Sequence, residues 1–218
     1  MKQAMDLFGK ALTDYKHDAT VEFYLIDSSG NNQAQNLSRY YRPANRLSNL
    51  EYKLASLTTG KVLDVGSATA NYFPAFKSQA IKGIEISNAL VKLAKSDGKN
   101  CICTNIFDFE TSDKYDTITF LENNLGMAGS IPKLKELFYR LDKLLAKNGS
   151  ILVMQKKVNF KYASFTLIPE YEHKKGAKFE WLNVSTKYLR KVCDNVGFKL
   201  EIIGKNKEYN LLKITRVI

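Results

Sequence analysis

The residues through which this chain could do chemistry gather in four short stretches. The first is Asp64-x-Gly66-x-Ala68-x-Ala70, inside GKVLDVGSATANY, Gly60 to Tyr72. Its run of small side chains, Ser67 among them, lets the backbone approach a ligand closely, and a helix start behind it offers unpaired N–H groups. The second is Glu85, followed by Ile86, about 20 residues past that loop. An acid so placed accepts hydrogen bonds from ribose hydroxyls. The third is Asn105-Ile106-Phe107-Asp108, a polar, apolar, aromatic and acidic run suited to reading an adenine edge and flanking its face. The fourth is Glu122-Asn123-Asn124-Leu125-Gly126. Candidate proton acceptors are few: Glu122 and the two histidines, His17 and His173. Alone, each piece has a plain explanation as a surface acid, an Asn turn or a solvated loop histidine. Their order along the chain carries the reading.

That order matters because of the elements between them. An apolar run ending in tiny residues reads as a buried strand entering a tight loop. Strands are expected over 61–66, 81–86, 100–104, 115–121 and 150–155, with helices over 71–79, 87–96 and 131–146. Leu134, Leu137, Phe138, Leu141, Leu144 and Leu145 give the last helix its apolar face, and Asn148–Gly149 is its expected stop. Ser185 caps a further helix stopped by Gly197, and FKLEIIG and YNLLKITRV then read as a hairpin at a sheet edge. Alternating strands and helices imply a parallel sheet covered on both faces, with ligands at the carboxyl ends of its strands. The four stretches follow the first four strands.

Residues 1–57 are too few to fold alone and read as a cap over the mouth of a main domain spanning 58–218. A helix is expected over 5–16, and Leu47, Leu50, Leu54 and Leu57 mark a second helix face. Tyr40, Tyr41 and Arg42 precede Pro43 at the hinge, either as a packed corner or as part of a pocket. Residues 156–184 break the alternation and carry Phe160, Tyr162, Phe165, Tyr171, Phe179 and Trp181. A segment of that length has a function or strands of its own. Cap and insertion together would roof a pocket for a small, partly apolar acceptor.

Composition narrows the classes. No apolar run approaches the roughly 20 residues that cross a bilayer, so no membrane association is expected. The N-terminal residues carry charges throughout and have no apolar signal region. Three cysteines, Cys101, Cys103 and Cys193, lack a metal spacing and suit a reducing cytoplasm, and two histidines exclude a His-rich metal site. The net charge of +11 is spread over many lysines at helical spacing, which reads as a solvated surface; nucleic acid is the alternative partner. Oligomeric state is not legible.

DVGSATA, Glu85, NIFD and FLENNLGMAGS, in this order, resemble the class I S-adenosylmethionine-dependent methyltransferases, and in the last stretch a subset of bacterial small-molecule enzymes. The resemblance implies a Rossmann-like three-layer α/β sandwich: a mostly parallel seven-stranded sheet with a C-terminal antiparallel hairpin and a helical N-terminal cap. It implies S-adenosyl-L-methionine as cofactor. Glu85 would bind the ribose, with Ile86 beside it; Asn105, Ile106, Phe107 and Asp108 would surround the adenine. Asp64, Gly66, Ser67 and Ala68 would lie along the methionine, and Glu122, Asn123 and Asn124 near the sulfonium. Tyr41 or Arg42 would reach the cofactor carboxylate. Ala68 and Ala70 stand where the family has glycine and add a methyl each. The implied activity is methyl transfer to O, N or C of a small molecule, an acceptor of the kind met in secondary metabolism, with Glu122 or His173 as candidate bases. An RNA-modifying enzyme is the alternative suggested by the charge, and a degenerate binding module the one suggested by the alanines. A nicotinamide enzyme would show all three glycines and end differently.

Overall fold

Val62, Leu63 and Val65 are at most 1% exposed, as a strand covered on both faces demands. The structure, a computed structural model, describes residues 2–217, with side chains from residue 4. Its elements are α1 (Lys2–Tyr15), β1 (Tyr24–Ile26), β2 (Asn32–Ala34), α2 (Asn49–Ser56), β3 (Lys61–Val65), β4 (Ala80–Glu85), α3 (Asn88–Ser96), β5 (Cys101–Cys103), β6 (Tyr115–Phe120), α4 (Ile131–Leu144), β7 (Leu145–Lys156), β8 (Tyr162–Tyr171), β9 (Lys174–Lys175), β10 (Phe179–Val184), α5 (Thr186–Asn195), β11 (Phe198–Lys205) and β12 (Tyr209–Arg216).

Seven strands form the main sheet in the order β11-β12-β7-β6-β3-β4-β5. From β5 to β7 the pairs are parallel; β12 is antiparallel to both β7 and β11. On one face Leu50 and Leu54 of α2 and Val91 and Ala94 of α3 pack with Val62 and Leu152. On the other, Leu134, Leu137 and Leu141 of α4 and Leu189 of α5 pack with Leu63, Ile118 and Val153. The three layers, the mostly parallel sheet and the terminal hairpin are as expected.

Two local expectations are corrected. Residues 71–79 form only a 3-10 turn, Phe73–Ala75. Ala70 is left-handed, Pro74 lacks an N–H, and β4 begins at Ala80, leaving no length for a helix. Asn148–Gly149 does not stop α4, which ends at Leu144; the pair lies inside β7. A Cβ at Gly149 would come 2.8 Å from the Tyr115 carbonyl oxygen, so close strand approach explains the glycine.

The cap joins α1 to a hairpin of β1 and β2, and the insertion supplies partners for it. β1 pairs antiparallel with β8, giving a second sheet in the order β10-β8-β1-β2, with β9 on the free part of β8. α1 packs on α3 at Gly9, where a Cβ would fall 2.1 Å from Ser87 Oγ. Among the described residues no helix is long and apolar enough to cross a membrane.

Candidate functional site

β3 delivers the chain to Gly66, which turns it at φ +74. A Cβ there would also lie 2.7 Å from Asn124 Nδ2, so conformation and space both require glycine. Ala68 (φ 47) and Ala70 (φ 55) take left-handed conformations as well. Such turns cost an L-residue roughly 1–2 kcal/mol each. The loop is held by its neighbours: Gly66 and Ser67 N–H donate to the Ile84 carbonyl at 2.9 and 3.1 Å, and Ala68 N–H to Glu85 Oε2 at 3.0 Å. Thr69 and Asn71 donate to the carbonyls of Tyr40 and Arg39, fastening the loop to the cap.

Glu85 ends β4 with its carboxylate buried and pinned. Ile86 and Ser87 N–H reach Oε1 at 2.7 and 2.9 Å, beside the Ala68 bond to Oε2. A carboxylate offers about four lone-pair sites, so Oε2 keeps one for a ligand hydroxyl. Burial pushes Glu85 upward, and the three N–H bonds oppose it. Asp64 is buried too; burial pushes its carboxyl up to about 7, and the Thr119 hydroxyl at 2.6 Å offsets only part of this.

The loop after β6 is left-handed at Glu122 (φ 50) and Asn123 (φ 64). Asn123 N–H donates to the Met154 carbonyl at 3.0 Å, and Asn124 Nδ2 donates to the Gly66 carbonyl at 3.0 Å, joining two strand ends. Trp181 of β10 rests on Gly126, where a Cβ would fall 2.3 Å from the indole. The small residue of that loop therefore seats an aromatic of the roof.

A 3-10 turn over Leu37–Tyr41 brings the cap into the site. At three residues per turn, positions three apart align, and both Arg39 and Arg42 reach Glu122. Arg39 donates to Glu122 Oε2, and Arg42 lies 3.5 Å from Oε1. Arg42 is chiefly bound to Glu51. The Tyr72 hydroxyl lies 2.7 Å from Oε1 of both Glu51 and Glu122. It has one proton and can donate to one of them. For Glu51, burial is outweighed by bonds from Ser48, Tyr72 and Arg42, which bring it down to about 2. For Glu122, burial outweighs Arg39 and Tyr72 and pushes it up.

These groups line a cavity of about 530 Å³ between the strand ends and the second sheet. Asp64, Gly66, Ser67, Ala68, Glu85 and Ile86 line it, and so do Asn105, Ile106, Glu122, Asn123 and Asn124. Six expected residues lie elsewhere. The Tyr41 hydroxyl donates to the Leu12 carbonyl and its ring stacks on Tyr15, because the turn points it at α1. Arg42 is held outside the cavity by Glu51. Phe107 packs toward the core under the Lys133 ammonium, 5.1 Å from its ring centroid. Asp108 closes a turn on the Asn105 carbonyl and its side chain is exposed. His173 and Glu172 form the exposed, left-handed turn between β8 and β9, and His17 is exposed after α1. Neither histidine lines the cavity.

Tyr40 and Trp181, expected at the hinge of the cap and in the roof, line it, and so do four residues that sequence reasoning missed: Arg39, Tyr72, Lys156 and Asn183. The signal for Arg39 was its three-residue spacing from Arg42 before Pro43. Tyr72 comes from the loop after β3, Lys156 from the end of β7 and Asn183 from β10, and they carry no local signature. The donor set suits S-adenosylmethionine. Acids Asp64, Glu85 and Glu122 suit a ligand with a sulfonium and an ammonium, Arg39 suits its carboxylate, and Ile86 and Ile106 suit a flat base.

No protein-family profile matches the chain. No curated protein matches it either. Among solved structures it is similar to a SAM-dependent methyltransferase from Bacteroides fragilis in complex with S-adenosyl-L-homocysteine, at 24% identity and a TM-score of 0.89, over 99% of this chain and 97% of that one. It is similar to an amino pentose methyltransferase from Micromonospora echinaspora involved in calicheamicin biosynthesis, at 12% identity and a TM-score of 0.60, over 86% and 99% of the two chains. A sugar N-methyltransferase from Streptoalloteichus gives 12% identity and a TM-score of 0.59, over 86% and 96%. The chain therefore has the α/β fold of the S-adenosylmethionine-dependent methyltransferases.

Proposed function

We propose that this protein is an S-adenosylmethionine-dependent methyltransferase acting at O, N or C of a small-molecule acceptor. The observation that carries the reading is the convergence on one cavity of a Gly66 turn with no room for a Cβ, a pinned Glu85 carboxylate and the Glu122–Asn124 loop. S-adenosylmethionine, when bound, supplies a methyl group already activated on a sulfonium, so alignment and exclusion of water are the main tasks left to the protein.

In this reading Glu85 accepts a ribose hydroxyl and Asn105 and Ile106 flank the adenine. Asp64, Gly66, Ser67 and Ala68 lie along the methionine. Arg39, rather than Tyr41 or Arg42, meets the cofactor carboxylate. Asn123 and Asn124 fix the loop, and Glu122 orients the amino group. Its carboxyl, hydrogen-bonded to the Tyr72 hydroxyl, also makes Glu122 the candidate to exchange a proton with an acceptor. The second sheet roofs the site with Phe165, Phe179 and Trp181, which favours a small, partly apolar acceptor. Two structural neighbours are named for sugar substrates, which supports an acceptor from secondary metabolism. Three free cysteines support a reducing compartment such as the cytoplasm.

The RNA-modifying reading rests on the +11 charge. Lys174, Lys175 and Lys178 do not line the cavity, and the loop after β6 lacks the Asn/Asp-Pro-Pro pattern of enzymes that methylate exocyclic base amines. Calorimetry with S-adenosylmethionine and S-adenosylhomocysteine tests the main reading. One-to-one binding of both is expected; no heat with either at millimolar ligand overturns it.

A further inference from the structure

At Lys156, Phe165 and Asn183 the cavity adjoins a second, shallower groove of about 510 Å³, lined also by Lys157, Val158 and Phe160. Phe160 and Phe165 are 39% and 38% exposed, with ring centroids 6.4 Å apart. Exposed aromatics at the junction of two cavities are poorly explained by folding alone.

The polar groups at this junction are oriented by the backbone. Lys156 N–H is an unambiguous donor, and it lies 3.1 Å from the Asn123 side chain, which fixes the facing atom as Oδ1. Asn123 Nδ2 therefore faces Asn183 at 2.9 Å, and the Asn183 atom it meets is Oδ1. Asn183 is left with its amino group to offer. That group has no protein acceptor among the described residues, and Lys156 Nζ forms no ion pair among them. Asp27 is the acid on the roof side of the cavity, and both its oxygens are engaged by Asn31, with Ser29 N–H on Oδ1. Asp64 and Glu85 belong to the opposite, cofactor side, and Glu122, between the two, is engaged by Arg39 and Tyr72. The acceptor side thus presents a cation and an amide donor with nothing to receive them, beside flat apolar walls.

We propose that the methyl acceptor carries an oxyanion, a carboxylate or a phosphate, held by Lys156 Nζ and Asn183 Nδ2, with an apolar body lying against the adjacent rings of Phe165 and Trp181. The inference rests on the methyltransferase reading and specifies its substrate class. It also assigns the lysine: Lys156 is a specificity residue, whereas Lys157 is spent on the Asn206 carbonyl.

The test is calorimetry on protein saturated with S-adenosylhomocysteine, using 2-naphthoate and 2-naphthyl phosphate against the neutral 2-naphthamide and 2-naphthol. At least one anion should bind about tenfold or more tighter than its neutral partner. Lys156→Met should remove that preference while the neutral probes bind as before, Lys156→Arg should keep it, and Asn183→Ala should reduce it. Whichever anion is preferred identifies the oxyanion. Equal affinities, a preference that survives Lys156→Met, or no binding of either anion at roughly 10 mM overturns the proposal. So does a structured RNA that binds more tightly than both anions with a steep salt dependence, which would assign the groove to nucleic acid. Binding of S-adenosylhomocysteine is measured first. If it binds and the anions show no preference, the substrate class is wrong and the methyltransferase reading stands. If it does not bind, that reading fails, and the anions are then read on the ligand-free protein.

Discussion

At the scale of single residues, glycine and alanine in the first loop answer to different balances. Gly66→Ala adds a methyl 2.7 Å from Asn124 Nδ2 at φ +74, so strain and steric displacement act together. A loss of about 2 kcal/mol or more in stability is expected, with at least about tenfold weaker S-adenosylhomocysteine binding. Ala68→Gly relieves roughly 1–2 kcal/mol of left-handed strain but loses a buried methyl worth about 0.8 kcal/mol and adds backbone entropy to the unfolded chain. Its stability should stay within about 1 kcal/mol of the parent by thermal unfolding. Glu85→Ala should weaken S-adenosylhomocysteine binding by about 1–3 kcal/mol by calorimetry, since a charged acceptor is lost. An unchanged dissociation constant would remove Glu85 from the ribose. Asp64 makes a pH prediction. Its folded pKa of about 7 lies above the unfolded value, so below about pH 4 both states are protonated and no penalty arises. Between about pH 4 and 7 the unfolded state ionises first and stability falls, by as much as about 4 kcal/mol. In ligand-free protein, Asp64→Asn should therefore gain in Tm relative to the parent as pH rises from about 4 to 8; parallel curves would show that no charge is buried there.

At the scale of elements, the end of the 3-10 turn over Leu37–Tyr41 sorts two arginines that look alike in sequence: Arg39 lies inside it, and Arg42 is the extended residue that closes it. Arg39 faces the cavity, so Arg39→Met should weaken cofactor binding about tenfold; it also removes a partner of Glu122, so Tm falls, but by less than for Arg42→Met because Glu122 is less buried than Glu51. Arg42 is the partner of Glu51, which is 3% exposed, so Arg42→Met should cost about 2–4 kcal/mol in stability by stranding that carboxylate. Reversed effects would show that the turn has another register. The same turn marks where the sequence is legible. Glu85 and the Glu122–Asn124 loop could be placed because each follows an apolar strand bounded by small or polar residues. Tyr41 was misplaced because a Tyr-Tyr-Arg string gives adjacency, while facing is set by a three-residue period that short 3-10 turns do not announce. The 71–79 helix failed for a related reason: Pro74 is compatible with a helix start, and only the left-handed Ala70 and the early β4 rule it out. Asn183 was unreadable because its aim is set by the second sheet, which joins β8 to the distant β1, and Lys156 because nothing local marks the end of β7 as cavity-facing.

At the scale of the molecule, the cofactor side touches the cap, the main sheet and the loop after β6. A ligand there joins all three, and it stabilises by mass action. S-adenosylhomocysteine at a hundred times its Kd should add about 2.7 kcal/mol, a rise in Tm of about 5–11 °C for a chain of this size. A smaller rise at verified saturation would mean that the unfolding unit excludes the cap. The pairing of β1 with β8 has a further consequence, in the order of synthesis. Ile26 waits for Ile168, its register partner, through most of the chain. At roughly 5–20 residues per second the N-terminal strands stand without their neighbour for roughly 7–30 s on the ribosome. Until the insertion emerges there is no roof, so a truncated or still-growing chain should hold the cofactor loop in open water. The protein's acceptor chamber is then a property of the finished polypeptide, closed last by residues made near opposite ends of translation.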